Sequence, residues 1–249
     1  MDAQPSPGPR AIREHLPLIP KREEFFRWRG HEVSRLEGFT DAVFAFAVTL
    51  LVVALEVPHT FEGLMEVVRG FPAFVICFAL LMTFWNAHYR FFRRYGLEDP
   101  LTRLGTMAIL VLVLFSVYPL KFLFTVVIAG LFGIGAHDAA PLSANEWRVI
   151  YVIYGLGFVG VWSLYALLQV HALRKRDLLQ MDAAEVVLTR ATFWECLIYV
   201  GVALLSVALA ALTTLLTLPG WIYFLLAPLQ TFNGIWHGRK ARALAAKAA

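Results

Sequence analysis

Residues 35–58 read RLEGFTDAVFAFAVTLLVVALEVP, and the rest of the chain is best read outward from them. About 20 helical apolar residues cross the hydrocarbon core of a bilayer. Gly38 to Val57 is 20 residues long, so the stretch spans, closing at Glu56 and Pro58. An ionisable group inside a span is costly and marks a functional candidate. Asp41 is that group, with Arg35 its nearest possible counter-charge. At about 100° per residue, Phe46, Leu50, Val53 and Val57 share one face of the helix. Phe39 and Arg35 continue that stripe, and Asp41 points to roughly the opposite side. Ala42, Ala45, Ala47 and Ala54 are small surfaces where neighbouring helices approach closely. Periodicity leaves two readings open: the stripe packs inside its own bundle, or it faces a pore.

These residues resemble a known family. Arg35, Phe39, Thr40 and Asp41 are similar to the R-x-x-x-F-S-D signature that opens the first helix of the potassium channels related to transmembrane protein 175. Thr40 stands where the family usually has Ser. The continuation VFAFAVTLLVVALEVP is similar to the family's G-V-F-A-I-A-I-T-L-L-V-L. Phe84, Trp85, Asn86 and His88 resemble, more loosely, the W-x-x-H-H segment of the second helix. The signature occurs once, as in the single-repeat prokaryotic members.

The resemblance implies a homotetramer of six-helix subunits in which the first helix of each lines a central pore. It implies a modestly potassium-selective, leak-type cation channel of the cell (inner) membrane. Selectivity would come from stacked apolar side-chain layers; by position these are Phe46, Leu50 and Val53, with Phe46 bulkier than the family's usual Ile. An apolar ring narrow enough to dewet blocks ions, and a slight widening passes a partly dehydrated one. No cofactor or bound metal is implied, only a permeant potassium ion.

Composition agrees with a membrane location. The 249 residues are 59% hydrophobic and 16% charged, which is not a soluble globular composition. The net charge of +4 is spread among connecting segments and does not indicate nucleic-acid binding. Cys77 and Cys196 both lie in apolar runs, which predicts buried free thiols rather than a disulfide or metal site.

Six spans are expected, at about 36–57, 71–92, 103–127, 148–172, 189–213 and 217–236. This predicts an all-α membrane protein: an amino-terminal segment (1–34), a six-span channel domain (35–236) and a basic tail (237–249). Residues 1–20 read as a flexible tail without a cleavable signal, and Lys21 to Gly30 as a short interfacial helix with Phe25, Phe26 and Trp28 toward lipid headgroups. Pro119 is expected to kink the third span. The glycine-rich, then polar segment 128–147 reads as an external loop or re-entrant piece. Lys and Arg number seven in the amino-terminal segment and four in each of two alternate connections and the tail, against Arg69 and Arg148 on the other side. The positive-inside rule then puts both termini in the cytoplasm.

Trp85, Asn86 and His88 fall at the depth of Thr40 and Asp41. They suit either a hydrogen-bonded network with Arg35 and Asp41 that supports the first helix, or a plain interfacial cluster. The resemblance favours the network, in which His88 could tune gating near neutral pH. Glu56, at the outer end of the first span, could form an acidic ring at a pore mouth. Glu195 is expected to pair with Arg190 or with a cation on another helix, and Lys121 to snorkel. His171, Gln169, Asn233 and His237 lie near span ends, where polar residues are ordinary. Gly155 and Gly157, within an apolar span, read as helix-packing positions.

No nucleotide-binding loop, G-x-S-x-G elbow, HExxH pair or TVGYG filter occurs, so the sequence reads as neither an enzyme nor an ordinary potassium channel. A proton-coupled transporter using Asp41 and His88, or a non-conducting scaffold, remains the alternative.

Overall fold

The computed structural model describes residues 26–30, 32–53, 58–132, 142–214 and 217–248, and among them the only regular structure is helical. In order these are α1 (Arg35–Val53), α2 (Phe61–Arg69), α3 (Phe71–Tyr95), α4 (Pro100–Phe132), α5 (Ala144–Arg174), α6 (Ala183–Leu212) and α7 (Leu218–Trp221). A 3₁₀ turn (Ile222–Leu225) then leads into α8 (Leu226–Ala248).

Local chemistry sets the boundaries. Thr60 caps α2 by accepting the Gly63 N–H at 3.1 Å. Capping boxes open α5, through Ser143 and Glu146, and α6, through Asp182 and Glu185. Helix α3 ends because Gly96 turns left-handed, with φ of 59°, a conformation that costs other residues more.

Helices α1, α3, α4, α5 and α6 are the five described ones long and apolar enough to cross a membrane. They coincide with the first five expected spans, their ends differing by up to six residues. The expected sixth, 217–236, is helical but broken: α7 is four residues long, a 3₁₀ turn follows, and α8 carries Gln230, Asn233 and His237 before its basic end. Helix α8 also runs straight through the 236/237 boundary assigned to the tail. Pro119 does not end α4, and the Tyr154 hydroxyl donates to the Pro119 carbonyl.

Helix α5 packs most extensively on α6; α8 covers α6, α4 covers α5, and α1 lies against α3 and α4. Lipid is as apolar as a helix surface, so association relies on close packing and hydrogen bonds. Gly155 of α5 shows this, since a Cβ there would collide with Val207 of α6. Gly157 has nothing within 4 Å of such a Cβ, so only the first of the two glycines is a packing position. The core is aromatic: Trp162 of α5 stacks on Tyr199 of α6 with centroids 4.0 Å apart. Cys77 and Cys196 are buried free thiols, as expected.

The expected interfacial helix is corrected over its described part. Phe26–Gly30 is non-helical and lies across the end of α3. The Arg29 and Gly30 N–H groups donate to the Arg93 carbonyl at 3.0 and 3.2 Å. Phe26 is buried edge-on against Tyr95, with the Arg94 guanidinium 4.9 Å from its ring centroid. These bonds replace the lipid contact that its aromatic residues suggested. Gly30 is required at this crossing, because a Cβ would sit 2.6 Å from the Phe92 carbonyl oxygen.

Candidate functional site

Helix α1 has two different faces. Glu37, Thr40, Phe44, Ala47 and Leu51, spaced three and four apart, are buried against α3 and α4. On the opposite side Phe39, Phe46 and Val53 are 51%, 56% and 66% exposed. Arg35 is exposed at the base of that stripe, and Leu50 is half-buried at its edge. Phe39, Phe46 and Val53 therefore do not pack into their own subunit, whereas Leu50 rests against its core and Val57 lies outside the described residues. Thr40 turns inward, its hydroxyl donating to the Leu36 carbonyl at 2.8 Å.

The expected supporting network divides. The exposed Asp41 carboxylate accepts a hydrogen bond from the Trp85 indole N–H at 2.8 Å. Trp85 stacks on Tyr89 at 5.4 Å, and the Arg93 guanidinium lies 5.5 Å from the Tyr89 ring centroid. Asn86 is exposed and does not join Asp41. His88 faces the other way, 2% exposed among Phe44, Phe92 and Tyr165. Neither ring nitrogen has a hydrogen-bond partner. Its place in a polar network is corrected: three residues from Trp85, the helix turns it into the subunit's aromatic interior. Glu56 lies outside the described residues.

Around the base of α1 is a polar collar that sequence reasoning largely missed. Arg29 forks onto Glu185, Nη1 to Oε1 at 3.0 Å and Nη2 to Oε2 at 2.6 Å, while its Nε donates to the Leu179 carbonyl. Glu185 also accepts the Arg27 N–H at 2.8 Å. Arg93 reaches Glu37 of α1 at 3.7 Å. Arg90 pairs with Glu195 at 3.2 Å, the inter-helix option for that carboxylate. The buried Tyr95 hydroxyl meets Gln169 at 2.8 Å and Thr189 at 3.0 Å, tying α3 to α5 and α6.

Asp99, just before α4, takes both His171 Nε2 and Lys175 Nζ at 2.8 Å. Its other oxygen accepts the Leu101 and Thr102 N–H groups. Burial pushes this carboxyl up, but the bonds from Lys175, His171 and Thr102 outweigh that and hold it well below the usual range. The D-x-x-E box at Asp182–Glu185 and the Asp before Pro100 were visible cap signals; their distant partners were not. Among the described residues no His, Cys, Asp and Glu cluster could hold a metal ion.

Residues 35–119 match the family model described as endosomal/lysosomal potassium channel TMEM175. A potassium channel of Marivirga tractuosa is 35% identical over 232 residues, covering 88% of this chain and 93% of that one. A second potassium channel, from Chamaesiphon minutus, is 27% identical over 160 residues, covering 61% of this chain and 75% of its own length. The crystal structure of a variant of the potassium channel MtTMEM175, bound to a nanobody–MBP fusion, superposes with a TM-score of 0.75 and 32% identity, covering 86% of this chain and 97% of that one. On this extent of similarity, and with the signature at Arg35–Asp41 inside the matched region, the chain belongs to the TMEM175 family, a family of ion channels and not of enzymes.

Proposed function

We propose that the protein is a potassium channel of the cell's inner membrane, a modestly selective leak pathway at the centre of a homotetramer. Each subunit contributes six spans with both termini cytoplasmic, and the four α1 helices surround the pore. Phe46, Leu50 and Val53 form its apolar constrictions, and Glu56 lies toward its outer mouth. Arg35, Phe39, Thr40 and Asp41 set the inner end of α1, with Trp85 holding Asp41.

One observation supports this most. The face of α1 that its own subunit leaves uncovered is the one carrying Phe39, Phe46 and Val53 in line. The exposed surface of α1 also includes Arg35, Asp41 and Thr49. Charged groups on a span avoid lipid and gather where water or protein meets them. A partner helix and a water-filled path satisfy both features. The relatives' potassium-channel names agree with this reading.

The test is potassium flux from liposomes, measured against sodium. Leu50→Ala should enlarge the constriction, raise flux and weaken potassium preference. Unchanged currents and reversal potentials would remove Leu50 from the filter. Saturable, proton-coupled flux would instead favour the transporter, yet His88 offers such a relay no hydrogen-bonded neighbour.

A further inference from the structure

Where the start of α6 meets the last turns of α8 there is a hollow of 370 Å³, lined by Arg190 from α6 and Lys240 from α8. Both side chains are exposed, and neither has an acidic partner among the described residues. Arg176 also lines the hollow, as do Asp177 and Asp182, so its charged lining is three cations against two acids. Asp177 lies 3.6 Å from Arg176, and Asp182 accepts the Glu185 N–H at 2.7 Å as the cap of α6. Val187 and Leu244 give the hollow an apolar floor.

Two tryptophans mark its depth. Trp194 lies one turn along α6 from Arg190, and Trp236 one turn before Lys240 on α8; they are 51% and 62% exposed. Exposed tryptophan collects at the headgroup level of a bilayer. Arg190 and Lys240, each one turn beyond its tryptophan toward the basic end, therefore sit among headgroups.

We propose that this hollow binds the phosphate of an anionic membrane lipid. Arg190 and Lys240 hold the phosphate from two helices, at the membrane-facing end of the hollow. Basic pockets between membrane helices suit this chemistry. Charge points to the ligand: three cations against two acids leave the lining net positive, which complements a phosphodiester, whereas a zwitterionic headgroup brings a cation of its own.

Native mass spectrometry of the purified full chain, with phosphatidylglycerol competing against phosphatidylcholine, tests this without any flux measurement. The wild type should retain phosphatidylglycerol preferentially. The double variant R190Q/K240Q should lose about 30-fold of that preference, the worth of two cations beside an anionic surface. The control R239Q/R242Q removes two cations outside the hollow and should lose less than about 3-fold. Equal losses from the two pairs, or none from the first, would overturn the proposal. Displacement of phosphatidylglycerol by equimolar inorganic phosphate would assign the hollow to a soluble anion and overturn the lipid. Should R190Q/K240Q not fold, K240Q alone on the exposed face of α8 carries the test, with about a 5-fold loss expected.

Discussion

Helix α1 and the α5–α6 pair are equally at home in a bilayer by composition, yet the fold uses them differently. Trp162, Tyr165, Leu188 and Ala203 of the pair are at most 2% exposed, and aromatic rings fill the space between the two helices. Helix α1 buries a strip that includes Thr40, Phe44, Ala47 and Leu51, and leaves Phe46 and Val53 more than half exposed. In lipid an exposed apolar face costs little, so α1 can leave these side chains uncovered by its own subunit. The pair anchors the subunit; the single helix presents a surface.

The contrast can be broken from its strong side first. Trp162→Ala should lower stability by about 3–5 kcal/mol, measured as thermal unfolding in detergent, because the cavity opens inside the anchor. Next is the collar. Arg29→Ala leaves Glu185, whose side chain is 3% exposed, with only backbone donors, and should cost about 3 kcal/mol. Arg29→Lys should recover only part of this, since a point charge cannot form the fork.

A smaller effect is expected at Asp99. Its carboxyl is held below the ordinary value of about 3.9, so its contribution is present above that pH and is lost as pH falls through the lower folded-state value. Acid unfolding should show this loss below about pH 4, and Asp99→Asn should flatten it. An unchanged acid limb in Asp99→Asn would show that the His171 and Lys175 contacts do not hold α4 to α5.

The smallest stability effect belongs to α1. Phe46→Ala should change unfolding by no more than about 0.5 kcal/mol while altering flux in the liposome assay. Destabilisation matching that of Trp162→Ala would mean the exposed face is packed after all, and the contrast would fail.

How far the sequence carried this reading varies with distance along the chain. Five spans were legible because hydrophobic length is a local property. The α1 signature was legible because it occupies consecutive turns of one helix. The uncovered stripe was half legible: periodicity grouped Phe39, Phe46 and Val53 but could not say which way they face. His88 was misplaced because its neighbours Phe44 and Tyr165 come from other helices. The Arg29–Glu185 fork joins residues 156 positions apart, and no periodicity links them. The broken sixth helix was overestimated because an apolar average hides Pro219, Gly220 and Pro228 within it.

By itself the sequence determined that this chain crosses a membrane, where most of its helices start and stop, and which family its opening helix announces. Hydrogen bonding within a helix and transfer into lipid depend on neighbouring residues alone, so a linear reading captures them. Only the tertiary structure decided that α1 turns Thr40 inward and Phe46 outward, that His88 sits in an aromatic interior, and that Phe26–Gly30 straps the collar. Those outcomes depend on which helices meet, and helix contacts in lipid are settled by shape and by paired polar groups far apart in the chain.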